Sequence, residues 1–551
     1  MSAFDFVIIG GGSAGCVLAN RLSASGEYSV CLLEAGREGK SSPLISMPFG
    51  IIGLMNSSLY NWQFQGELEP SQNNRSHYCP RGKALGGSSA INAMLYIRGH
   101  KTDYDNWTPP GNSEWTFDDL LPYFKRSMNQ ERGTSEFHGI GGPVNVCDAP
   151  YRHPLAERFI LASLEAGHSY NNDFNGAEQN GMGWYQLTMQ GGERCSAARG
   201  YLFPIEDRKN LTVISQAYAT RILLDGKRAA GVAYEHAGQM QTVTAKKEVV
   251  LSAGAVQSPQ LLMLSGIGDP AELEKHNIPL THKLPGVGKN LQEHADTVIV
   301  QRRKKHDSIS LNPLRLVMQA GELWKYWRDR TGLLSMPPVE AGGFMKSDPS
   351  LDKPDLQLQC IPALFDDHGR DYRLMMGWGY SVHINLLRPK SRGELTLRSA
   401  DPKDPPKIQF NMMSHPDDIA TMVKGVRMVR EIFAAPAFAE HNGEEVFPGT
   451  HRQSDEELVE FIREKGGHIY HPACTCKMGE GEEAVVDYRL RVHGMENLRV
   501  VDISILPELI GGNTNAPAIA IGEKASDMIL ADAEAPEVVQ TDLFTEPAEM
   551  A

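Results

Sequence analysis

The sequence predicts an α/β protein, with a Rossmann-like parallel-sheet domain and, inserted into it, an α+β domain built on an antiparallel sheet. Three observations carry that expectation. Residues 4–36 spell one complete strand–turn–helix–strand unit, 551 residues exceed one ordinary hydrophobic core, and between residues 307 and 453 the pattern changes to alternating strands backed by helices.

The first unit is read residue by residue. Residues 4–9 are an apolar, β-branched run of strand length, Gly10-Gly11-Gly12-Ser13-Ala14-Gly15 fits G-x-G-x-x-G, and residues 16–22 carry apolar side chains at helical spacing. Gly10 permits the tight turn, Gly12 lets the backbone approach a pyrophosphate, and Gly15 allows helix to pack on strand, with Ser13 and Ala14 opening the helix whose N-terminus receives the phosphates. A second strand over residues 28–33 ends in Glu34, placed to accept hydrogen bonds from an adenosine ribose and to repel a 2′-phosphate. NAD and FAD share the adenosine diphosphate half, so this motif does not separate them.

Composition narrows the classes. A balance of 41% apolar and 22% charged residues is that of a globular chain, and a net charge of −14 excludes a nucleic-acid partner, which needs a basic surface. With the first strand beginning at Phe4 there is no room for a secretory leader, and no apolar run reaches membrane-spanning length, so the expected location is cytoplasmic. The eight cysteines are scattered and read as reduced core thiols, and the 18 histidines show no metal-binding pair, so no metal site is expected.

Residues 42–62 are irregular, rich in proline and glycine. Residues 81–94 are glycine- and hydroxyl-rich and pass into what reads as an apolar helix start, which suits close passage along a planar or phosphorylated ligand. Residues 210–216, 220–224 and 247–252 read as strands that return the chain to the nucleotide domain. Residues 314–330 and 417–433 read as helices, and residues 355–361, 380–387 and 393–397 as strands of the inserted sheet. The division is then 1–306 for the first part of the nucleotide domain, 307–465 mainly for the inserted domain, 466–530 for the return, and 531–551 for an acidic tail with six carboxylates and no basic residue, read as disordered.

Arg81-Gly82-Lys83-Ala84-Leu85-Gly86-Gly87-Ser88-Ser89-Ala90-Ile91-Asn92 has the form GK-x-L-GG-SS-x-I-N, and here the sequence resembles the glucose-methanol-choline (GMC) family of FAD-dependent oxidoreductases. The resemblance extends through Arg98-Gly99, His138-Gly139, Ser196-Ala197-Ala198-Arg199, a second signature over residues 254–268, and His471-Pro472 with Gly511-Gly512-Asn513-Thr514-Asn515-Ala516-Pro517. It implies FAD as cofactor, with Ala219 beside the adenine, Ala84, Gly86, Gly87 and the run Asn92, Ala93, Met94, Leu95 along the flavin, and Asp502 and Ala516 near it. It also implies a catalytic pair at His471 and Asn515. Where some members carry a histidine linked to the flavin, this chain has Ile91, so noncovalent FAD is expected.

The implied reaction is oxidation of a primary, aliphatic alcohol to the aldehyde, with hydride passing to the flavin and electrons to a non-oxygen acceptor such as a quinone. His471 is the base, since a neutral imidazole accepts a proton near neutral pH, and Asn515 orients the substrate oxygen. Choline dehydrogenase is the second reading, for which Glu340, Trp62 and Tyr470 are the residues to watch. A flavin-containing lyase and a non-catalytic flavin-binding protein are readings of other classes. His468 reads as a structural neighbour of the base. A quinone acceptor would draw the protein to the inner face of a membrane as a peripheral contact, yet the sequence reading finds no amphipathic basic helix for it.

Overall fold

The computed structural model describes residues 2–109 and 114–534. Strand β1 (Ser2–Ile9), helix α1 (Ser13–Leu22) and strand β2 (Val30–Leu33) form the unit expected of the glycine motif, with β1 and β2 parallel and Phe6 opposite Val30, Ile9 opposite Leu33. Every residue of β2 and the last four of β1 are buried, which is why these strands read as continuous apolar runs: the sheet is covered on both faces. Helix α2 (Pro154–Glu165) and strand β3 (Gly181–Trp184) leave for a second sheet. The chain returns with β4 (Leu211–Ile214), the hairpin β5 (Ala217–Asp225) and β6 (Arg228–His236), then β7 (Gln239–Leu251) and helix α3 (Gly254–Leu264). The resulting order is β4-β2-β1-β7-β6-β5, parallel from β4 to β7. Strands β1, β2 and β7 end on one edge, followed there by Gly10, Glu34 and Ser252, and the carboxyl edge of a parallel sheet is where such folds hold ligands.

The second sheet begins with β8 (Ala295–Arg303). Helix α4 (Pro313–Asp329) follows, then β9 (Ala341–Met345), β10 (Leu356–Ile361), β11 (Gly379–Leu386), helix α5 (Pro416–Ala434), β12 (Asn442–Phe447), helix α6 (Asp455–Lys465) and the short β13 (Gly467–His468). The order β12-β8-β11-β10-β9-β3 is antiparallel throughout, with β13 on β8. Period-two alternation divides its faces. Leu358, Val382 and Ile384 pack on Phe159 of α2, Val426 of α5 and Phe461 of α6, whereas Gln359, Ile361 and His383 turn to the other face and line a cavity. The chain finally re-enters the first sheet with β14 (Leu498–Val500), parallel to β7, and helix α7 (Asn515–Glu534).

Three expectations need correction. Residues 81–94 do not start a helix; they make a single 3₁₀ turn, Gly87–Ala90, because Gly86, Gly87 and Met94 take φ of +94°, +52° and +63°, which no right-handed helix accommodates. The strand read at 393–397 exists as Glu394–Thr396 but pairs with Lys407–Gln409 in a separate ribbon, while the large sheet takes β3 and β8 from before residue 307. Residues 531–534 are not tail: they are the last turn of α7, where Asp532 pairs with Arg489 at 2.6 Å and also with Arg499. Residues 535–551, the rest of the expected tail, lie outside the described residues.

Candidate active site

One cavity runs from the carboxyl edge of the parallel sheet to the inner face of the antiparallel one, so residues from most of the chain share its wall. At the nucleotide end the glycines are fixed by contact. A Cβ on Gly10 would stand 2.4 Å from the Ser252 carbonyl oxygen, one on Gly15 1.9 Å from the Gly10 carbonyl oxygen, and one on Gly87 2.7 Å from Gly12 Cα. A Cβ on Gly12 would meet nothing nearer than 3.9 Å, so Gly12 leaves open space for a ligand rather than for protein. Glu34 is buried and accepts from Gly11 N at 2.8 Å and Gly36 N at 2.7 Å; burial outweighs these bonds and lifts its pKa to about 7. Asp502 accepts from Gly254 N at 2.9 Å, Ser258 Oγ at 2.6 Å and Ser504 N at 2.8 Å. Helices α1 and α7 both begin at the cavity, joined by a bond of 2.7 Å from Ser13 Oγ to Asn515 Oδ1, so two positive helix ends face the same space.

Among the residues expected from sequence, Gly10, Gly12, Ser13, Ala14, Glu34, Gly87, Asn92, Ala93, Met94, Leu95, Ala219, His471, Asp502 and Asn515 reach the cavity wall. Four do not. Gly15 is spent on helix packing, Ala84 sits in a small core with Ile45 and Leu54, Gly86 donates its N–H to Gly11 O at 2.7 Å, and Ala516 is buried in the main core.

At the other end His471 is held by a directional chain of hydrogen bonds. His294 Nε2 lies 3.0 Å from the carbonyl oxygen of Ile510, which can only accept, so that nitrogen carries the proton and His294 Nδ1 is a lone pair. His294 Nδ1 faces His471 Nδ1 at 3.0 Å, so His471 donates there and keeps Nε2 unprotonated. Burial, with His294, Arg81 and His468 close by, holds the pKa of His471 well below 6.5. The side chain that meets Nε2 is Asn513, whose Nδ2 lies 3.2 Å away; its Oδ1 accepts from Gln357 Nε2, which fixes the amide orientation. Asn515, one helical position inside α7, is committed to Ser13 instead. His468 is buried against Glu293, Nδ1 to Oε2 3.1 Å, and the same carboxylate accepts from His471 N at 2.7 Å.

Sequence reading missed Asn513, His294 and Glu293. The doublet Asn513-Thr514-Asn515 offered two amides without showing which precedes the helix, and His294 lies opposite His471 only because Gln292 pairs with Ala473 across the fold.

The remaining wall is mostly apolar: Ile51, Met55, Pro338, Val339, Ile361 and Phe365, with Gln359 and His383. Glu34 and Asp502 are the only acidic residues on the described lining. Glu340 is absent from it; buried, with Oε1 accepting from His153 N at 2.6 Å and Oε2 unpartnered, its pKa is raised by burial to about 8. Asp296, behind the wall, is engaged by His383 Nδ1 at 2.8 Å and Asn385 Nδ2 at 2.7 Å.

Sequence and fold comparisons give the chain its relatives. The chain is 46% identical over 530 residues to alcohol dehydrogenase (acceptor) of Pseudomonas putida, covering 96% of each chain. It is 43% identical over 537 residues to mitochondrial choline dehydrogenase of Homo sapiens, covering 96% of this chain and 89% of that one. Its fold superposes on the crystal structure of pyridoxine 4-oxidase from Mesorbium loti with a TM-score of 0.84 and 30% identity, covering 95% and 98% of the two chains. The two GMC oxidoreductase sequence regions match residues 4–296 and 389–522, which carry the nucleotide crevice and the His471 segment, and the chain belongs to the GMC oxidoreductase family.

Proposed function

We propose that the protein oxidises a primary aliphatic alcohol to the aldehyde, with FAD, the cofactor typical of the family, as hydride acceptor and a non-oxygen carrier such as a quinone as the final electron acceptor. The observation that carries this reading is the convergence of His471 Nε2 and Asn513 Nδ2, 3.2 Å apart, in a cavity whose substrate half is apolar. An alcohol oxygen seated beside both, in place of the bond between them, would donate its proton to Nε2 and accept from Nδ2. His294 holds the imidazole in the tautomer this requires, and Glu293 fixes the backbone of His471. The catalytic pair in this reading is therefore His471 with Asn513. Asn515 ties α7 to the glycine turn.

FAD fits the crevice by the open face of Gly12, the carboxylate of Glu34 for the ribose and two helix N-termini for the pyrophosphate and ring, with Asp502 holding the turn at Gly254 and Ser504 that borders the crevice. When bound, it supplies the two-electron sink that no side chain can. The α7 terminus then faces negative charge that develops there, and the apolar wall keeps water from the base.

Choline oxidation is the second reading, favoured by the mitochondrial relative. Against it stands the wall itself, where Glu340 is turned away and Asp296 is occupied by His383, so among the described residues no free carboxylate faces a cationic head in the substrate half. The test is anaerobic addition of 1-hexanol or choline to the holoenzyme. Bleaching of the flavin band by hexanol supports the proposal, bleaching by choline alone replaces it, and unchanged colour with both returns the protein to a lyase or passive binder.

A further inference from the structure

We infer that helix α4 is a docking surface for an anionic lipid bilayer. Of the described positions 321–330 on and just after this helix only Tyr326 is buried, and Leu323, Trp324 and Trp327 stand 60%, 57% and 68% exposed on one side. The two indole rings stack at 5.4 Å, and no other tryptophan among the chain's seven is an exposed one. Indoles prefer the headgroup boundary, where an apolar ring and an N–H donor are both satisfied.

Charge selects the partner. The whole chain carries −14, yet residues 302–330 hold eight basic and three acidic side chains. All three acids already have basic partners: Asp307 with Arg303 at 2.8 Å, Glu322 with Lys325 at 3.2 Å, and Asp329 with Arg328 at 2.5 Å. Of the five bases left over, Arg302 pairs with Glu444 at 3.8 Å and Arg330 with Glu193 at 3.1 Å, while exposed Lys304 and Lys305 match a phosphate-bearing surface and in a two-fold pairing of copies would face their own like charge. Position supports the same partner. Glu322 Oε2 accepts from Leu333 N at 2.9 Å, and the chain from there runs to Pro338 and Val339 on the cavity wall. A bilayer at α4 would therefore lie beside the cavity, and bilayers dissolve both aliphatic alcohols and quinones. The docking surface stands on exposure and charge alone; only its use rests on the alcohol reading.

The test is flotation of full-length holoenzyme with vesicles of phosphatidylglycerol and phosphatidylcholine in equal parts, and with phosphatidylcholine alone, with no alcohol present. The parent should float with the anionic vesicles, less so at high salt, and brominated lipid should quench its tryptophan emission. The triple variant Leu323→Ser, Trp324→Ser, Trp327→Ser should partition about tenfold more weakly, and the pair Lys304→Glu, Lys305→Glu should lose the preference for phosphatidylglycerol. Dye-coupled activity, or FAD content, should be that of the parent in both, which shows that they fold. The inference is overturned if the parent stays with the aqueous phase, if the triple variant floats as well as the parent, or if the parent sediments as a dimer that the triple variant breaks, in which case a second copy covers the helix.

Discussion

His471→Ala removes the only lone pair that the hydrogen-bond chain from Ile510 through His294 leaves facing the cavity. Loss of a positioned base costs roughly 10²–10⁴-fold, so stopped-flow flavin reduction at saturating alcohol should slow by that factor with FAD still bound. Parent-like reduction in that variant would sink the mechanism. Asn513→Ala should cost about 1.5–3 kcal/mol in the same measurement, the worth of a hydrogen bond to a charged or charging oxygen, whereas Asn515→Ala, acting through Ser13, should lower FAD retention more than the rate. If the rate loss falls on Asn515 and spares Asn513, the pair expected from sequence is the working one. The pH profile follows from the direction of the shift. A base held well below 6.5 by burial, with His294, Arg81 and His468 close by, is already deprotonated in mild acid, so the reduction rate should stay level from about pH 8 down past 6.5 and fall only at more acid values. A decline that begins near 6.5 would show an ordinary histidine.

At the scale of elements, the site depends on α1 and α7 starting side by side, and one buried carboxylate clamps them. Glu523 of α7 is fully buried and binds Arg21 of α1 at 2.7 Å, Arg126 at 2.7 Å and the Tyr201 hydroxyl at 2.6 Å. Removing it leaves two guanidiniums facing each other. Glu523→Ala should therefore cost about 3 kcal/mol in urea unfolding of the holoenzyme, the low end for breaking a buried pair because both arginines keep some contact with water. A loss within 0.5 kcal/mol, about the error of a surface change, would mean the clamp is not holding the helices. The same scale explains why residues 81–94 resisted reading. Glycine and serine density suggested a capped helix, but Gly87 must pass 2.7 Å (as a Cβ) from Gly12, and that packing demand imposes a left-handed backbone.

For the whole molecule, the cavity gathers residues from 9 to 518, so FAD seated there would touch segments from both ends of the chain at once. Stripping FAD should lower the thermal midpoint, and restoring it at 100 times its dissociation constant should return about 2.7 kcal/mol. An apoprotein as stable as the holoenzyme would contradict the proposed seat. With isoleucine at position 91, acid precipitation should release the yellow colour to the supernatant; colour in the pellet would show a covalent link.

The local chemistry of this protein was determined by sequence. A glycine turn, its strand and helix, and Glu34 are consecutive, and steric limits on a few residues suffice to place them; the same holds for the two long strands of the antiparallel sheet that alternate in character. His471 was legible through the motif around it. Tertiary structure alone decided which amide it meets, because Asn513 and Asn515 differ by a single turn of direction at the mouth of α7. It alone supplied His294, separated from His471 by 177 positions, and it alone turned Glu340 away from the cavity and set His383 over Asp296. The reason is common to all four. A side chain's partner across a fold is fixed by strand register and helix placement, and these are settled by packing of the whole chain, not by the residues beside it.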